Sequence, residues 1–206
     1  MKNIHLLGKK VLYDESDVLF SYKPDENWEK YFDIMTGKWH YEDGALIGEE
    51  RGNLGGILLT KEYYDCDVML AFTVSTVLPA TRDLNAVWAS QWNETRDYLG
   101  ESYVCGLNGW YENKAGIERN GGNGLYTTTT LYNYELGSSV RLVCGSINGH
   151  CFMTVDDKLV TEVIDPNPIS GGHVGFSAYC TKLRITDIEV RRIKWEPFVQ
   201  EYEPQF

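Results

Sequence analysis

Positive charge is scarce in this chain: 19 Lys and Arg stand against 30 Asp and Glu, a formal net charge of −11. Nucleic acid and anionic membrane surfaces are gripped by clustered Lys and Arg, so both are excluded as expected partners. A neutral or weakly charged ligand remains. Long apolar runs are also missing. None approaches the roughly 18 residues that a membrane span needs, and the opening MKNIHLLGKKVLYDESD has no apolar core of signal-peptide length. The expectation is a cytoplasmic protein. Only four histidines occur, His5, His40, His150 and His173, with no His-x-x-x-His spacing.

The five cysteines are odd in number and include no Cys-x-x-Cys pair, which argues against a disulfide framework or a zinc ribbon. Cys144 and Cys151 flank Asn148-Gly149, a strong two-residue hairpin turn. That turn sets Ile147 opposite His150 and Cys144 opposite Met153, so the two cysteines do not face each other. Five free thiols are predicted.

Short apolar runs separated by turn residues fill the chain, and helical periodicity is nearly absent. Strands are predicted at 19–22, 39–48 (with Asp43-Gly44 as a turn), 55–60, 67–77, 86–91, 103–107, 115–119, 126–132, 140–146, 150–155, 159–164, 174–179 and 183–193, with one helical turn near 27–32. This spacing is that of an all-β sandwich. No composition shift marks a linker, so a single domain spanning 1–206 is expected, with its core at about 18–193 and a surface tail at 194–206. Alternation places Met69, Ala71, Thr73, Leu142, Val155, Val174 and Phe176 on inward faces.

The order of motifs resembles a known superfamily. Trp39 followed by Asp43-Gly44-x-Leu46-x-Gly48, then GGILLTKEYYDCDVMLAFTV at 55–74, is similar to the opening of concanavalin A-like sandwiches, most of all the 3-keto-disaccharide hydrolase domain. VRLVCGSINGHCFMTVDDKLVTEVIDP at 140–166 and GGHVGFSAYCTKLRITDIEVRRI at 171–193 resemble that superfamily's closing strands. The resemblance covers about 20–193 and implies a two-sheet antiparallel jelly roll with its site on the concave sheet. For activity it spans lectins, glycosidases and lyases. The domain's usual Asn-Ser-Gly before a strand ending in Arg is here Asn85-Ala86-Val87-Trp88-Ala89-Ser90-Gln91. Its Gln and His two apart are replaced by Ser177 and Tyr179. The Glu-x-Asp-x-Glu strand of glucanases with this fold is missing, and no tight carboxylate pair is visible.

The most unusual segment is YVCGLNGWYENKAGIERN at 103–120, where Gly106, Gly109 and Gly116 bare the backbone beside rings and charges. Sugars stack apolar faces on aromatic rings and bond their hydroxyls to polar side chains. The segment therefore offers Trp110, Tyr111, Lys114 and Arg119 as contacts, with Asn85, Gln91 and Ser177 joining from other strands. The plainer reading makes the rings core caps and the charges solvated.

Two functional readings follow. In one, the protein is a hydrolase or lyase acting on a small glycoside, such as a 3-keto glycoside. Glu118 serves as base or acid, Gln91 and Arg119 hold the oxyanion or hydroxyls, and Tyr179 or His150 moves a proton. In the other, the same face binds an oligosaccharide without chemistry. Asp187 stands where many such sandwiches hold a structural calcium, although one carboxylate falls short of the six to eight oxygens that ion takes. No other cofactor is expected.

Overall fold

Two antiparallel sheets face each other in the computed structural model, which describes residues 3–52, 55–80, 82–110, 113–121 and 124–199. The seven-stranded front sheet runs, edge to edge, through Tyr126–Thr129, Lys114–Asn120, Ser102–Gly109, Leu84–Ser90, His173–Ala178, Gly56–Thr60 and Phe32–Ile34. The eight-stranded back sheet runs through Lys158–Ile164, His150–Val155, Val140–Ile147, Val68–Thr76, Thr181–Arg192, Ala45–Glu50 and Lys38–Glu42, and Asp17–Tyr22 also pairs with Thr181–Arg192. The expected helical turn is a single 3₁₀ turn at Trp28–Lys30. The architecture is the expected jelly-roll sandwich. Among the described residues no helix is long and apolar enough to cross a membrane.

Alternation along each strand sends one face into the space between the sheets. There Leu70, Phe72, Leu142 and Val155 from the back meet Leu84, Trp88, Tyr103, Val174 and Phe176 from the front. The rings of Phe72 and Phe176 lie 5.0 Å apart. Trp88 is fully buried, and its indole N–H donates across the sandwich to Ser146 Oγ at 3.1 Å.

Two expectations about packing need correction. Met69, Ala71 and Thr73 do not face the sandwich interior; Leu70, Phe72 and Val74 do. Met69 and Ala71 instead join Val143 and Phe152 in a second core on the outer face of the back sheet. The cover of that core is a three-stranded sheet of Ile4–Leu6, Lys9–Val11 and Trp195–Pro197, whose Ile4, Leu6 and Val11 are buried. A strand buried on both faces is apolar at every position, so alternation assigns it no phase. For the same reason the core begins near residue 4 rather than 18. Trp195–Pro197 does lie on the surface, but as a paired strand.

The Asn148-Gly149 hairpin has the expected register, Ile147 opposite His150 and Cys144 opposite Met153. Asn148 and Gly149 adopt φ of 45° and 79°, the left-handed pair of a type I′ turn. All five cysteines are free thiols.

Candidate functional site

The outer face of the front sheet carries two rows of side chains that its register aligns across five strands. One row runs Gly116, Gly106, Asn85, Ser177, Ile57; the next runs Glu118, Val104, Val87, Gly175, Leu59. The apolar members of these rows, Ile57, Leu59, Val87 and Val104, are covered by a small hairpin, Trp92–Asn93 paired with Tyr98–Leu99, through Leu99, Trp92 and Tyr98. Asn120 ties this hairpin down, its amide donating to Leu99 O at 2.7 Å and Gly100 O at 2.9 Å.

Beside the hairpin the face stays open over a cavity of about 250 Å³ lined by Arg82, Asp83, Asn85, Tyr98, Leu99, Val104, Trp110, Glu118, Asn120, Ser177 and Tyr179. Its shape follows from the glycines. A Cβ at Gly106 would stand 1.9 Å from Asn85 Oδ1, so the Asn85 carboxamide lies flat over bare backbone. A Cβ at Gly116 would come within 3.3 Å of the Trp110 ring. That ring is held by its own N–H, which donates to Glu118 Oε2 at 2.9 Å. Trp110 adopts a left-handed φ of 52°, a conformation that costs a bulky residue energy and tends to mark functional positions.

Asn85 is the exception among the polar groups here. Asn85 is 8% exposed and turns its Nδ2 toward Asp83 Oδ2 at 3.5 Å, while its Oδ1 has no hydrogen-bond partner among the described residues. Burial pushes the Asp83 carboxyl above the usual range, and the charge of Glu118 adds to the shift. Burial likewise raises the Tyr98 hydroxyl, with Glu118 and then Tyr179 contributing. Two carboxyl groups, Asp83 and Glu118, therefore share one cavity, a pair that the sequence did not reveal because Asp83 precedes its strand by one residue.

Of the candidate residues, Asn85, Trp110, Glu118, Ser177 and Tyr179 line this cavity together. Lys114, half-buried opposite Gly109, is outside the lining, and Tyr111 lies outside the described residues. Gln91 is also outside the lining, its amide directed at Gly171 O at 3.4 Å. The cause is a bulge: Ala89 takes a φ of 46° and the register with His173–Ala178 shifts there, so Gln91 no longer follows the phase of Asn85.

Arg119 faces away from Glu118, as strand neighbours must. Its guanidinium bonds Asp165 Oδ2 at 2.7 Å, Glu101 Oε1 at 2.6 Å and the carbonyl of Asn167. Tyr103 donates to the same Asp165 oxygen at 2.8 Å, making a structural joint between the front sheet and the segment after Lys158–Ile164. His150 belongs to the back sheet, 1% exposed, with its ring between Lys9 Nζ at 3.1 Å and Glu162 Oε2 at 2.7 Å. It cannot move a proton in this cavity. Asp187 is an exposed, left-handed bulge residue of the back sheet that accepts the Thr186 hydroxyl at 3.0 Å. No group of three or more His, Cys, Asp or Glu able to hold a metal occurs among the described residues.

A larger hollow of about 420 Å³, lined in part by Lys30, Tyr31, Lys61, Tyr63 and Arg192, lies elsewhere. Two of its cations have partners of their own: Asp33 stands 3.5 Å from Lys61, and Arg192 bonds Cys66 within the fields of Asp17 and Asp65. Tyr64, also in its wall, belongs to the sandwich core. Tyr64 Oη there is, like Asn85 Oδ1, buried without a partner among the described residues; the smaller cavity is the better candidate because it gathers Asn85, Trp110, Glu118, Ser177 and Tyr179 from four strands and loops of one sheet face.

The sequence matches no family model and no curated protein. The fold does have solved likenesses. A Bacillus subtilis protein of unknown function with a galectin-like fold superposes with a TM-score of 0.67 at 11% identity, over 87% of this chain and 97% of that one. Carbohydrate-binding module CBM66 from Bacillus subtilis gives 0.63 at 14% identity, over 78% and 94%. A legume lectin-like domain from Entamoeba histolytica gives 0.59 at 13% identity, over 83% and 95%. At these identities the likeness is one of architecture, that of a two-sheet jelly-roll sandwich.

Proposed function

We propose that the protein binds a neutral saccharide in the cavity on the outer face of its front sheet. The meeting of the Trp110 ring with Asn85, Glu118, Asn120 and Ser177 in one open cavity carries this reading. The surroundings suit a pyranose or furanose ring. Trp110 offers an apolar wall, while Glu118, Asn120 and Ser177 offer groups for hydroxyls. At about 250 Å³ the cavity is slightly below the roughly 300–1,000 Å³ of drug-sized sites, the scale of one ring. The architectural likeness to a carbohydrate-binding module and a lectin-like domain supports the same reading. Titration with a saccharide panel, followed by tryptophan fluorescence and calorimetry, tests it. Binding should weaken at least about tenfold in Asn85→Ala and in Trp110→Ala, the loss of about 1.4 kcal/mol. A panel with no binder overturns the proposal.

A second reading, cleavage of a small glycoside, is favoured by the Asp83–Glu118 pair. Asp83, whose carboxyl is shifted upward by burial and by the charge of Glu118, is the proton donor for a leaving oxygen in this reading. Glu118 is the base, either for water or, on a 3-keto glycoside, for the proton at C2, whose removal expels the C1 oxygen as Asp83 protonates it. Turnover of plain or 3-keto glycosides that disappears in Asp83→Asn and Glu118→Gln while binding persists would support this reading. Binding without turnover on either class would leave only the first.

A further inference from the structure

A second cavity, of about 480 Å³, adjoins the first and shares Arg82 and Asp83 with it. Its other walls are Asn108, Asn113, Asn133, Tyr134 and Leu136. The shared residues are placed at the junction by Gly109, where a Cβ would stand 3.0 Å from Asp83 Oδ1. Asn108 and Asn113 flank the front-sheet turn in left-handed conformations, φ 59° and 54°, which asparagine tolerates better than most residues. The opposite wall is pinned: Tyr134 Oη accepts from Thr76 N–H at 3.0 Å and donates to Ser138 O at 2.6 Å, and Gly137 N–H donates to Thr76 Oγ1 at 2.9 Å. A fixed hollow lined by three amides offers donors and acceptors together, the pattern that sugar hydroxyls match. Arg82 stands with Asp83 and Glu118 in the combined lining, so the groove has no surplus of positive charge to hold an anion.

Resting on the saccharide reading above, we infer that the two cavities form one groove with two subsites, and that the ligand is a neutral oligosaccharide of two or more linked rings. One ring sits against Asn85 and Trp110. The next passes the Arg82–Asp83 junction and bonds to Asn113 and Asn133. A monosaccharide engages only the first subsite, so affinity rises with chain length until both are filled.

The test titrates the full chain with gluco-, galacto-, manno- and fructo-oligosaccharides of one to four residues. In whichever series binds, affinity should rise about tenfold between one and three rings, equivalent to about 1.4 kcal/mol. The double variant Asn113→Gly/Asn133→Ala, in which both side chains are exposed and glycine keeps the left-handed backbone at 113, should flatten that dependence. Side-chain amide resonances of Asn113 and Asn133 should move with the longer ligands and stay still with the monosaccharide. Trp110-dependent binding that ignores chain length overturns this inference and leaves the saccharide reading standing. Absence of binding in every series overturns both.

Discussion

The two outer faces of the sandwich meet the same physical problem with opposite results. On the back sheet, Met69, Ala71, Val143 and Phe152 present an apolar surface, and the small sheet built from residues 4–11 and 195–197 buries it. Tyr13 helps lock that cover, donating to Glu189 at 2.7 Å with Arg191 stacked over its ring at 4.7 Å. On the front sheet, the Trp92–Leu99 hairpin covers the aliphatic members of the two rows, Ile57, Leu59, Val87 and Val104, and leaves beside it the stretch Gly116, Gly106, Asn85 and Ser177 of one row. Burying that stretch would strand polar groups and gain little apolar area, so it stays open and a cavity forms. A cover grows where the row is aliphatic, and a site grows where it is glycine and amide.

The sharpest way to break this contrast is to remove a ring from the covered face. Phe152, fully buried there, should cost about 3–5 kcal/mol on truncation to Ala, read as a lower urea midpoint with ligand affinity unaffected. Next comes the open face itself. Gly106→Ala places a methyl 1.9 Å from Asn85 Oδ1 and 2.5 Å from Leu84 O, and the overpacking should cost about 1–3 kcal/mol while also abolishing saccharide binding. Ser177→Ala on the same row should change stability by less than about 1 kcal/mol and weaken binding only a few-fold.

The smallest effects are in pH dependence, where the open cavity and the joint beside Arg119 carry carboxyls shifted in opposite directions. At Asp165 burial opposes ionisation, but the Asn167 N–H, the Tyr103 hydroxyl and Arg119 outweigh it and hold the carboxyl below its usual range. Its contribution to stability is full above the unfolded value of about 3.9 and is lost as pH falls through the lower folded value. Asp83 is raised, so the native state favours its protonated form. The stability that proton confers is present below about 3.9 and is lost as pH rises through the folded value. Unfolding midpoints measured from pH 2 to 8 should therefore lose opposite slopes in Asp165→Asn and Asp83→Asn. Slopes of the same sign would contradict the assignment.

How much of the site could be read from the residues depends on where each one lies. Asn85 and Ser177 were legible because alternation sets them on the face opposite Trp88 and Phe176, and Trp110 and Glu118 because rings and charges gather there beside Gly106, Gly109 and Gly116. Asp83, Arg82 and Tyr98 were missed, since two precede a strand and one belongs to a two-residue strand too short to leave a pattern. Gln91 was misplaced by the bulge at Ala89, which no alternation rule anticipates. Arg119 looked like a ligand contact because its partner Asp165 lies 46 residues away and meets it only in the folded protein.

Local chemistry, read from the sequence alone, determined the all-β class, the Asn148-Gly149 register and the five free thiols, because turn geometry and residue alternation act over a few neighbours. Only the tertiary structure decided which face of Val68–Thr76 looks inward, that the N-terminal residues cover the back sheet, and that two carboxyls share one cavity. Those outcomes depend on which strand lies beside which, and that pairing is set by the whole chain's burial of apolar surface, which no local window contains.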